Sequence, residues 1–253
     1  MNPMLLDILY QDEHLVVINK PSGLLVHRTQ LASQETDAVV QRLNTQLGKW
    51  VYPVHRLDRG TSGALVLTFS SDTAHHLSEQ FSQASVDKSY LCLVRGHPND
   101  EGTIDQPLAK LNENKGQSRF KIEGTEKEAI THFKCQQKFL LKHPVSKYET
   151  TRCTLLEVKT EQGRKHQIRR HCKHIRHPLI GDTRYGCRHH NKLFRALLLP
   201  QRLMLHARTL SFIHPVSSHR ITCYADLPES FEKVLAYLKQ HDHHESANVS
   251  EDR

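Results

Sequence analysis

The sequence predicts an α+β fold, and two patterns indicate that class. Short β-rich or apolar runs outnumber the segments with helical spacing, and the two kinds do not alternate regularly as they would around a parallel sheet. The chain has 253 residues, of which 37% are hydrophobic, enough to bury a sizeable core. We therefore expect one large domain, or two closely packed halves, over residues 1–240. Residues 241–253 have too few apolar side chains to pack and are predicted to be a disordered tail.

Short apolar or β-rich runs predict the strands. They occupy residues 5–10, 15–19, 64–69, 90–94, 130–133, 152–158, 203–213 and 221–224. The first two flank a turn at residues 11–14, and the last two form a predicted hairpin around residues 215–220.

Apolar residues at helical spacing predict four helices. They cover residues 35–47, a segment that begins near residue 71, residues 166–176 and residues 229–240. The first is expected to end at Gly48. In the third, Arg169, Lys173 and Arg176 are predicted to form one basic stripe beside an apolar stripe.

The charge of the chain is unevenly distributed. Lys and Arg total 35 and Asp and Glu 27, which gives a formal net charge of +8. Residues 164–190 alone contain eight Lys or Arg and one acid, Asp182, with six histidines between them. A basic concentration of this kind favours a polyanionic partner.

No run approaches the roughly 18 apolar residues of a membrane span, and no secretory signal is evident at the N-terminus, so a cytoplasmic protein is expected.

Metal, disulfide and nucleotide-cofactor chemistry find little support in the sequence. The six cysteines include no Cys-x-x-Cys pair, so they are predicted to be reduced and partly buried thiols. Histidines 166, 171, 174 and 177 can share part of a helical surface, but the neighbouring Arg and Lys residues would repel a cation. There is no Gly-x-Gly-x-x-Gly motif and no P-loop. We expect no metal and no cofactor.

The segment HRLDRGTSG at residues 55–63 contains the principal candidate for chemistry. Asp58 lies between two arginines in a glycine-bounded loop that leads directly into an apolar strand. In isolation such an acid is more often a structural ion pair near a turn. Three further segments favour a functional interpretation. They are KSY at 88–90, GRKHQIRRH at 163–171 and RLMLHA at 202–207.

Together with KPSG at residues 20–23, these segments resemble, in this order, the RluA family of pseudouridine synthases. The resemblance covers about residues 5–225, judged from the positions of these motifs. It implies a mixed, mainly antiparallel sheet with a central active-site cleft and peripheral helices. It also implies isomerisation of a uridine in structured RNA without a cofactor. No S4 module precedes residue 5, so the S4-bearing relatives are not expected to be the nearest ones.

Within the family, Lys165 and the paired Arg169 and Arg170 are most similar to the branch that modifies uridine 65 in the tRNA acceptor stem. A target in the tRNA anticodon arm or in rRNA stays open. A monomer is expected. The polar segment 98–128 is predicted to be a long surface excursion, which either contacts RNA or is a mobile connection.

The resemblance also implies roles for individual side chains. Asp58 is the catalytic carboxylate, Tyr90 stacks on the flipped base, and Leu205 packs near that base. Arg169 is expected to hold Asp58 by bidentate hydrogen bonds, and Arg56 helps to fill the space that the base leaves.

Other basic residues near the third helix are expected to bind the RNA backbone. They are Arg164, Lys165, Lys173 and Arg176, with Arg184 and Arg188 nearby. Such contacts set register and make affinity depend on salt, but they carry little sequence information.

The reaction requires the uridine to lose its N1–C1′ bond, rotate and rejoin through C5, so the base must leave its stack. An ionised Asp58 can attack C1′, attack the base, or remove the 2′ proton, and the residues do not choose between these routes. Two other classes of function are compatible with parts of this sequence. A noncatalytic RNA-binding protein would not need Asp58, and an RNA hydrolase would need a second acid or base such as His55.

Overall fold

The protein, seen in a computed structural model, is described over residues 5–27, 37–112, 121–122 and 125–243. Within these ranges it contains twelve strands, listed here in chain order: β1 Asp7–Gln11, β2 Leu15–Lys20, β3 Tyr52–Pro53, β4 Ser62–Thr68, β5 Asp87–Arg95, β6 Glu101–Asp105, β7 Leu111–Asn112, β8 Lys121–Ile122, β9 Ile130–Leu141, β10 Thr151–Thr160, β11 Leu205–Ile213 and β12 Arg220–Tyr224. The helices in the same ranges are α1 Val39–Leu47, α2 Ser71–Ser82, α3 Gln167–His174, α4 Arg188–Ala196 and α5 Glu229–Gln240.

Ten of the strands form one sheet in the order β1-β2-β4-β11-β5-β10-β9-β6, with β3 paired to β4 and β12 to β11. The described pairings are antiparallel except for β4 with β11. The α+β class and the mixed, mainly antiparallel sheet are therefore confirmed. None of the helices in the described residues is both long and apolar enough to cross a membrane.

The parallel contact between β4 and β11 determines where the functional loop lies. At Gly63 the backbone has φ of +115°, and a Cβ added there would lie 2.2 Å from the carbonyl oxygen of Ala207. Only glycine permits so close an approach of two backbones. As a result, the loop before β4, which carries Asp58, lies beside the first residues of β11, which include Leu205.

Helix α3 packs over the centre of the sheet. Its buried Ile168 and Cys172 lie in one apolar cluster with Cys92 and Val94 of β5 and Leu156 of β10. This packing places the first turn of α3 near Tyr90, in the middle of β5, and its last turn near the end of the same strand.

Several predicted boundaries were wrong. The first helix begins at Val39, because Ala38 pairs with Leu25 as an isolated bridge; residues 35–36 lie outside the described part. The third helix ends at His174, and Arg176 has a left-handed φ of 66°. The predicted stripe of Arg169, Lys173 and Arg176 therefore does not exist as a helical surface.

Five elements were not predicted: α4, β6 and the two-residue strands β3, β7 and β8. Helix α4 lies in a basic stretch with little apolar spacing, and β6 lies inside the polar segment 98–128, where it pairs with β9. This segment is thus partly an edge strand, although residues 113–120 and 123–124 lie outside the described part. Of the predicted tail, Asp242 and His243 are hydrogen-bonded to Leu140 of β9, and His241 is bonded to Tyr237 of α5. Residues 244–253 are not among the described ones.

The cysteines conform to prediction. All six are free thiols, and Cys92, Cys153, Cys172 and Cys223 are buried.

Candidate active site

A cleft opens above the middle of the sheet where β5, β11, the loop before β4 and the start of α3 meet. Asp58, Tyr90, Arg169 and Leu205 all line it, and so do Arg56 and Arg164. The four residues are far apart in sequence, so the fold brings together the side chains to which the family resemblance assigned the chemistry.

Lys20, the last residue of β2, is hydrogen-bonded to the loop that carries Asp58. The Lys20 side chain is fully buried, and its Nζ donates to the carbonyl oxygens of Pro21, Leu24 and Arg59 at 2.9, 2.7 and 3.2 Å. Ser22 Oγ donates to the Gly60 carbonyl at 2.7 Å. The KPSG segment therefore fixes the backbone of Arg59 and Gly60, the two residues that follow Asp58.

Burial lowers the pKa of Lys20 to about 7, although the negative charge of Asp58 opposes this shift. Between that pH and the ordinary lysine value of 10.5, the unfolded chain keeps a proton that the folded chain loses. The free energy of unfolding should then rise with pH in this window, because the unfolded state binds more protons. We expect wild type to gain stability relative to Lys20→Met as the pH rises. The gain should be about 1 kcal/mol of unfolding free energy per pH unit from pH 7.5 to 9.5.

Urea unfolding at several pH values measures this difference. The exposed Lys192→Met serves as the matched control, and its difference from wild type should stay constant. A constant difference for Lys20→Met as well would mean that Lys20 remains an ammonium, with its three N–H groups on three carbonyls.

Arg169 connects two carboxylates. Its Nη1 donates to Oδ2 of Asp58 at 3.0 Å, while its Nε and Nη2 donate to Oδ2 and Oδ1 of Asp182 at 2.7 and 3.0 Å. The predicted contact with Asp58 exists, but the prediction that it would be bidentate was wrong. The paired hydrogen bonds go to Asp182, and a single one reaches Asp58.

Asp182 was missed as a site residue. Its side chain is fully buried, and its Oδ1 also accepts the backbone N–H groups of Arg184 and Tyr185 at 2.8 and 2.9 Å. Burial would raise the pKa of Asp182, but the Arg169 guanidinium and the two N–H groups more than offset this and lower it. Asp182 is the one acid within residues 164–190, and that isolation was the available signal.

His166 lies on the other side of Asp58. Its Nε2 is 3.8 Å from Oδ1 of Asp58, and its Nδ1 is 2.9 Å from the hydroxyl of Tyr185. Burial lowers the pKa of His166 to about 4, against the attraction of Asp58, so the imidazole beside the carboxylate is neutral at pH 7. The Tyr185 ring also lies 5.1 Å from the guanidinium carbon of Arg169, and this contact restricts the arginine further.

Tyr90 and Leu205 form apolar walls of the cleft. Tyr90 pairs with Val158 on one side and Ala207 on the other, so its backbone is fixed in the centre of the sheet. Burial, with the charge of Asp58, raises the pKa of Tyr90 to about 12. The phenol is therefore protonated at pH 7.

The segment RLMLHA has a structural role in addition to supplying Leu205. The buried Arg202 donates to Ser62 Oγ at 2.7 Å and to the Leu203 and Leu205 carbonyls at 3.1 and 3.3 Å. Ser62 Oγ also contacts His206 Nδ1 at 2.8 Å. These bonds tie the start of β11 to the start of β4.

The basic residues that were assigned to the RNA backbone do not form one group. Arg164 lines the cleft, Lys165 is half-buried beside it, and Lys173 is exposed on α3 with its Nζ 5.9 Å from the Tyr185 ring centre. Arg176 does not line the cleft; it borders a different cavity.

His55, considered as a second acid or base, does not line the cleft. It stacks on Phe81 and accepts a hydrogen bond from the Val66 N–H at 3.2 Å. Burial lowers the pKa of His55 to about 3, so it is a neutral packing residue.

Comparison with known proteins agrees with this geometry. A family model described as RNA pseudouridylate synthase matches residues 14–174, which include Asp58, Tyr90 and Arg169. The chain belongs to this family. It is therefore a pseudouridylate synthase of the RluA type, an isomerase, and the noncatalytic and hydrolase alternatives are set aside.

Curated relatives extend the similarity over nearly the whole synthase. The chain is 42% identical to tRNA pseudouridine synthase C of Vibrio parahaemolyticus over 93% of its own length and 96% of that protein. It is 45% identical to the enzyme of the same name from Pasteurella multocida, over 92% and 96%. Among solved structures, human RNA pseudouridylate synthase domain containing 4 is similar with a TM-score of 0.69 and 27% identity, over 92% of this chain and 93% of that one.

Proposed function

We propose that this synthase converts uridine 65 of tRNA to pseudouridine, with Asp58 as the catalytic carboxylate. One observation carries the assignment of Asp58: it faces a cleft walled by Tyr90 and Leu205, with one carboxylate oxygen bound to Arg169. The tRNA target is supported by relatives that are named tRNA pseudouridine synthase C and are aligned over almost their full length. Uridine 65 is supported by the resemblance at Lys165, Arg169 and Arg170.

The target base enters the cleft after leaving its stack in the RNA. Tyr90 then offers an aromatic face, and Leu205 an apolar wall on which the base can rest. Stacking of this kind contributes about 1–3 kcal/mol per base. Because the phenol of Tyr90 stays protonated, it adds no negative charge beside the carboxylate.

Asp58 acts as an anion whose position is fixed before the substrate arrives. Oδ2 is hydrogen-bonded to Arg169, whereas among the described residues Oδ1 has only the distant His166 Nε2 at 3.8 Å and so is the oxygen available to the substrate. The same carboxylate can attack C1′, attack the base, or take the 2′ proton, and in each case the product has the atoms of the substrate. The side chain of Asp58 is 22% exposed, so the bound RNA completes its removal from water and strengthens its electrostatic interactions.

The RNA backbone near the cleft is bound by cations at its rim. Arg56 and Arg164 lie on the cleft itself, Lys165 lies two residues before α3, and Lys173 lies in the last turn of that helix. Arg170, which the resemblance links to the tRNA branch, donates to the Ala109 carbonyl at 3.0 Å. It thereby connects α3 to the segment that follows β6.

Mapping pseudouridine in tRNA tests the proposal. Bulk tRNA from a strain that lacks this activity is incubated with wild type or Asp58→Ala, and pseudouridine is located by base-specific chemical labelling. We expect a single new pseudouridine, at position 65, with wild type and none with the variant. Folding of both proteins is compared by circular dichroism.

The alternatives give different maps. Conversion in the anticodon arm, or in rRNA incubated in the same way, by wild type but not by Asp58→Ala would keep Asp58 as the catalytic residue and reject position 65. Equal conversion by both proteins would reject Asp58.

A further inference from the structure

A second cavity lies at the other end of strands β5 and β10. Four cations border it, on four separate parts of the chain: Arg95, Lys147, Arg152 and Arg176. Glu149 is the one acid among its lining residues. The backbone holds the strand arginines in place, since the Gly96 N–H donates to the Arg152 carbonyl at 2.7 Å, and Arg95 Nη2 donates to the Arg176 carbonyl at 2.8 Å.

These cations are not neutralised within the described part of the chain. No carboxylate there lies within 4.0 Å of Arg95, Lys147, Arg152 or Arg176. Like charges around one cavity repel one another and reduce stability. An anionic ligand would remove that repulsion.

The start of helix α4 adds to the positive potential of this cavity. Cys187 is the N-cap of α4 and lines the cavity. Burial would raise the pKa of the Cys187 thiol, but the N–H groups of His190 and His189 and the side chain of Arg95 lower it. The groups that stabilise a thiolate there stabilise any other anion as well. The buried His190 also lines the cavity, and its Nδ1 has no partner among the described residues.

An aromatic side chain stands at the edge of the same cavity. Tyr148 is 60% exposed, on a tight turn closed by two backbone hydrogen bonds with Val145 at 2.9 and 3.0 Å. Lys147 Nζ lies 5.6 Å from its ring centre. Clustered arginines next to an exposed, positioned aromatic ring are what proteins use to hold a nucleotide, with phosphate on the cations and base on the ring.

The cavity is within reach of an RNA that occupies the active site. Tyr90 and Arg95 both belong to β5 and are five residues apart, which corresponds to about 16 Å along a strand. Lys173 is exposed in the last turn of α3, three residues before Arg176, which borders the cavity. Because five residues is an odd separation, the Tyr90 and Arg95 side chains leave opposite faces of the sheet, and an RNA bound at both sites would pass round the end of β5.

We propose that this cavity binds a second nucleotide of the RNA substrate, with its phosphate between Arg95, Arg152 and Arg176 and its base on Tyr148. The inference rests on the proposed function only in needing an RNA substrate. It assigns Arg176, which does not reach the cleft, to a separate phosphate contact.

Binding of a tRNA transcript tests the proposal without turnover. Dissociation constants are measured over a range of salt concentrations for wild type, Arg152→Ala, Tyr148→Ala and Tyr148→Phe. Arg152 is exposed, so its removal should not disturb folding. The exposed Arg195→Ala on α4 is the matched control for loss of one positive charge.

We expect Arg152→Ala to reduce the slope of log affinity against log salt by about 0.7–0.9, the value for one phosphate contact. Tyr148→Ala should weaken binding about tenfold, as expected for one stacked base, and Tyr148→Phe should bind like wild type. The slope for Arg195→Ala should match that of wild type.

Binding of inorganic phosphate and uridine 5′-monophosphate to the same proteins separates the possible sources of the phosphate. Arg152→Ala could fail to bind these small anions but keep the tRNA affinity and salt slope of wild type. The cavity would then hold a free anion, and the proposal would be overturned. A Tyr148→Ala protein that binds tRNA like wild type overturns it too. Failure of the proposed function would appear elsewhere, as absence of pseudouridine with wild type.

Discussion

Asp58→Asn is expected to lower kcat for pseudouridine formation by about 10⁴-fold or more, as removal of a central catalytic group does in other enzymes. Asparagine keeps the shape of the side chain, and its amide oxygen can still accept the hydrogen bond from Arg169. What it loses is the negative charge, which each of the three chemical routes requires. Single-turnover formation of pseudouridine, measured by nucleoside analysis of the digested RNA, gives the rate.

The controls separate chemistry from binding and folding. Arg169 keeps its paired hydrogen bonds to Asp182 in this variant, so the unfolding free energy should change by no more than about 1 kcal/mol. The dissociation constant for tRNA should stay within a few fold of wild type, or improve, because a negative charge beside the RNA has been removed. A variant that retains more than about a tenth of the wild-type rate would contradict the role of Asp58, since loss of a catalytic charge cannot be so mild.

The parts of the site that could be predicted are those that lie in short, contiguous motifs on which the family resemblance rests. Asp58, Tyr90 and Leu205 each lie in a distinctive local segment, and the three line the same cleft. The segment KPSG was noted in the sequence without a role. Its function depends on the side chain of Lys20 crossing to the carbonyl of Arg59, 39 residues later, and no local pattern reveals such a contact.

The parts that could not be predicted depend on tertiary packing. Helix α4 has few apolar residues, and it is positioned largely by the buried Phe194 and by Asn191, which bonds to the Gly181 N–H and the Asp182 carbonyl. Helical spacing beyond residue 174 predicted that Arg176 would lie beside Arg169. The left-handed turn at Arg176 ends the helix instead and directs that residue to the second cavity. Periodicity describes a helix but does not show where it ends.

Asp182→Asn is expected to lower kcat by about 10²-fold while KM for tRNA changes little, since a misplacement of about 1 Å in a catalytic group has an effect of that size. Asparagine at this position can still accept the N–H groups of Arg184 and Tyr185 through Oδ1. Its amide N–H₂, however, would face the Nε–H of Arg169, donor against donor. Arg169 would then turn away from the geometry in which it holds Asp58. Asp182 is thus a positioning residue that acts through Arg169.

A purely structural role for Asp182 predicts a different result in a double-mutant cycle. If Asp182 acts through Arg169, then adding Asp182→Asn to Arg169→Gln should lower kcat no further, whereas a general loss of stability would lower it in either background.

The buried ion pair is broken in Asp182→Asn, and the loss of unfolding free energy can reach about 3 kcal/mol. Asn191→Ala is therefore the second variant. It loosens the turn at residues 181–182 but leaves the Asp182 carboxylate on Arg169, so it should reduce kcat far less than Asp182→Asn. An equal loss in both would mean that the turn, and not the charge that orients Arg169, is what the reaction requires.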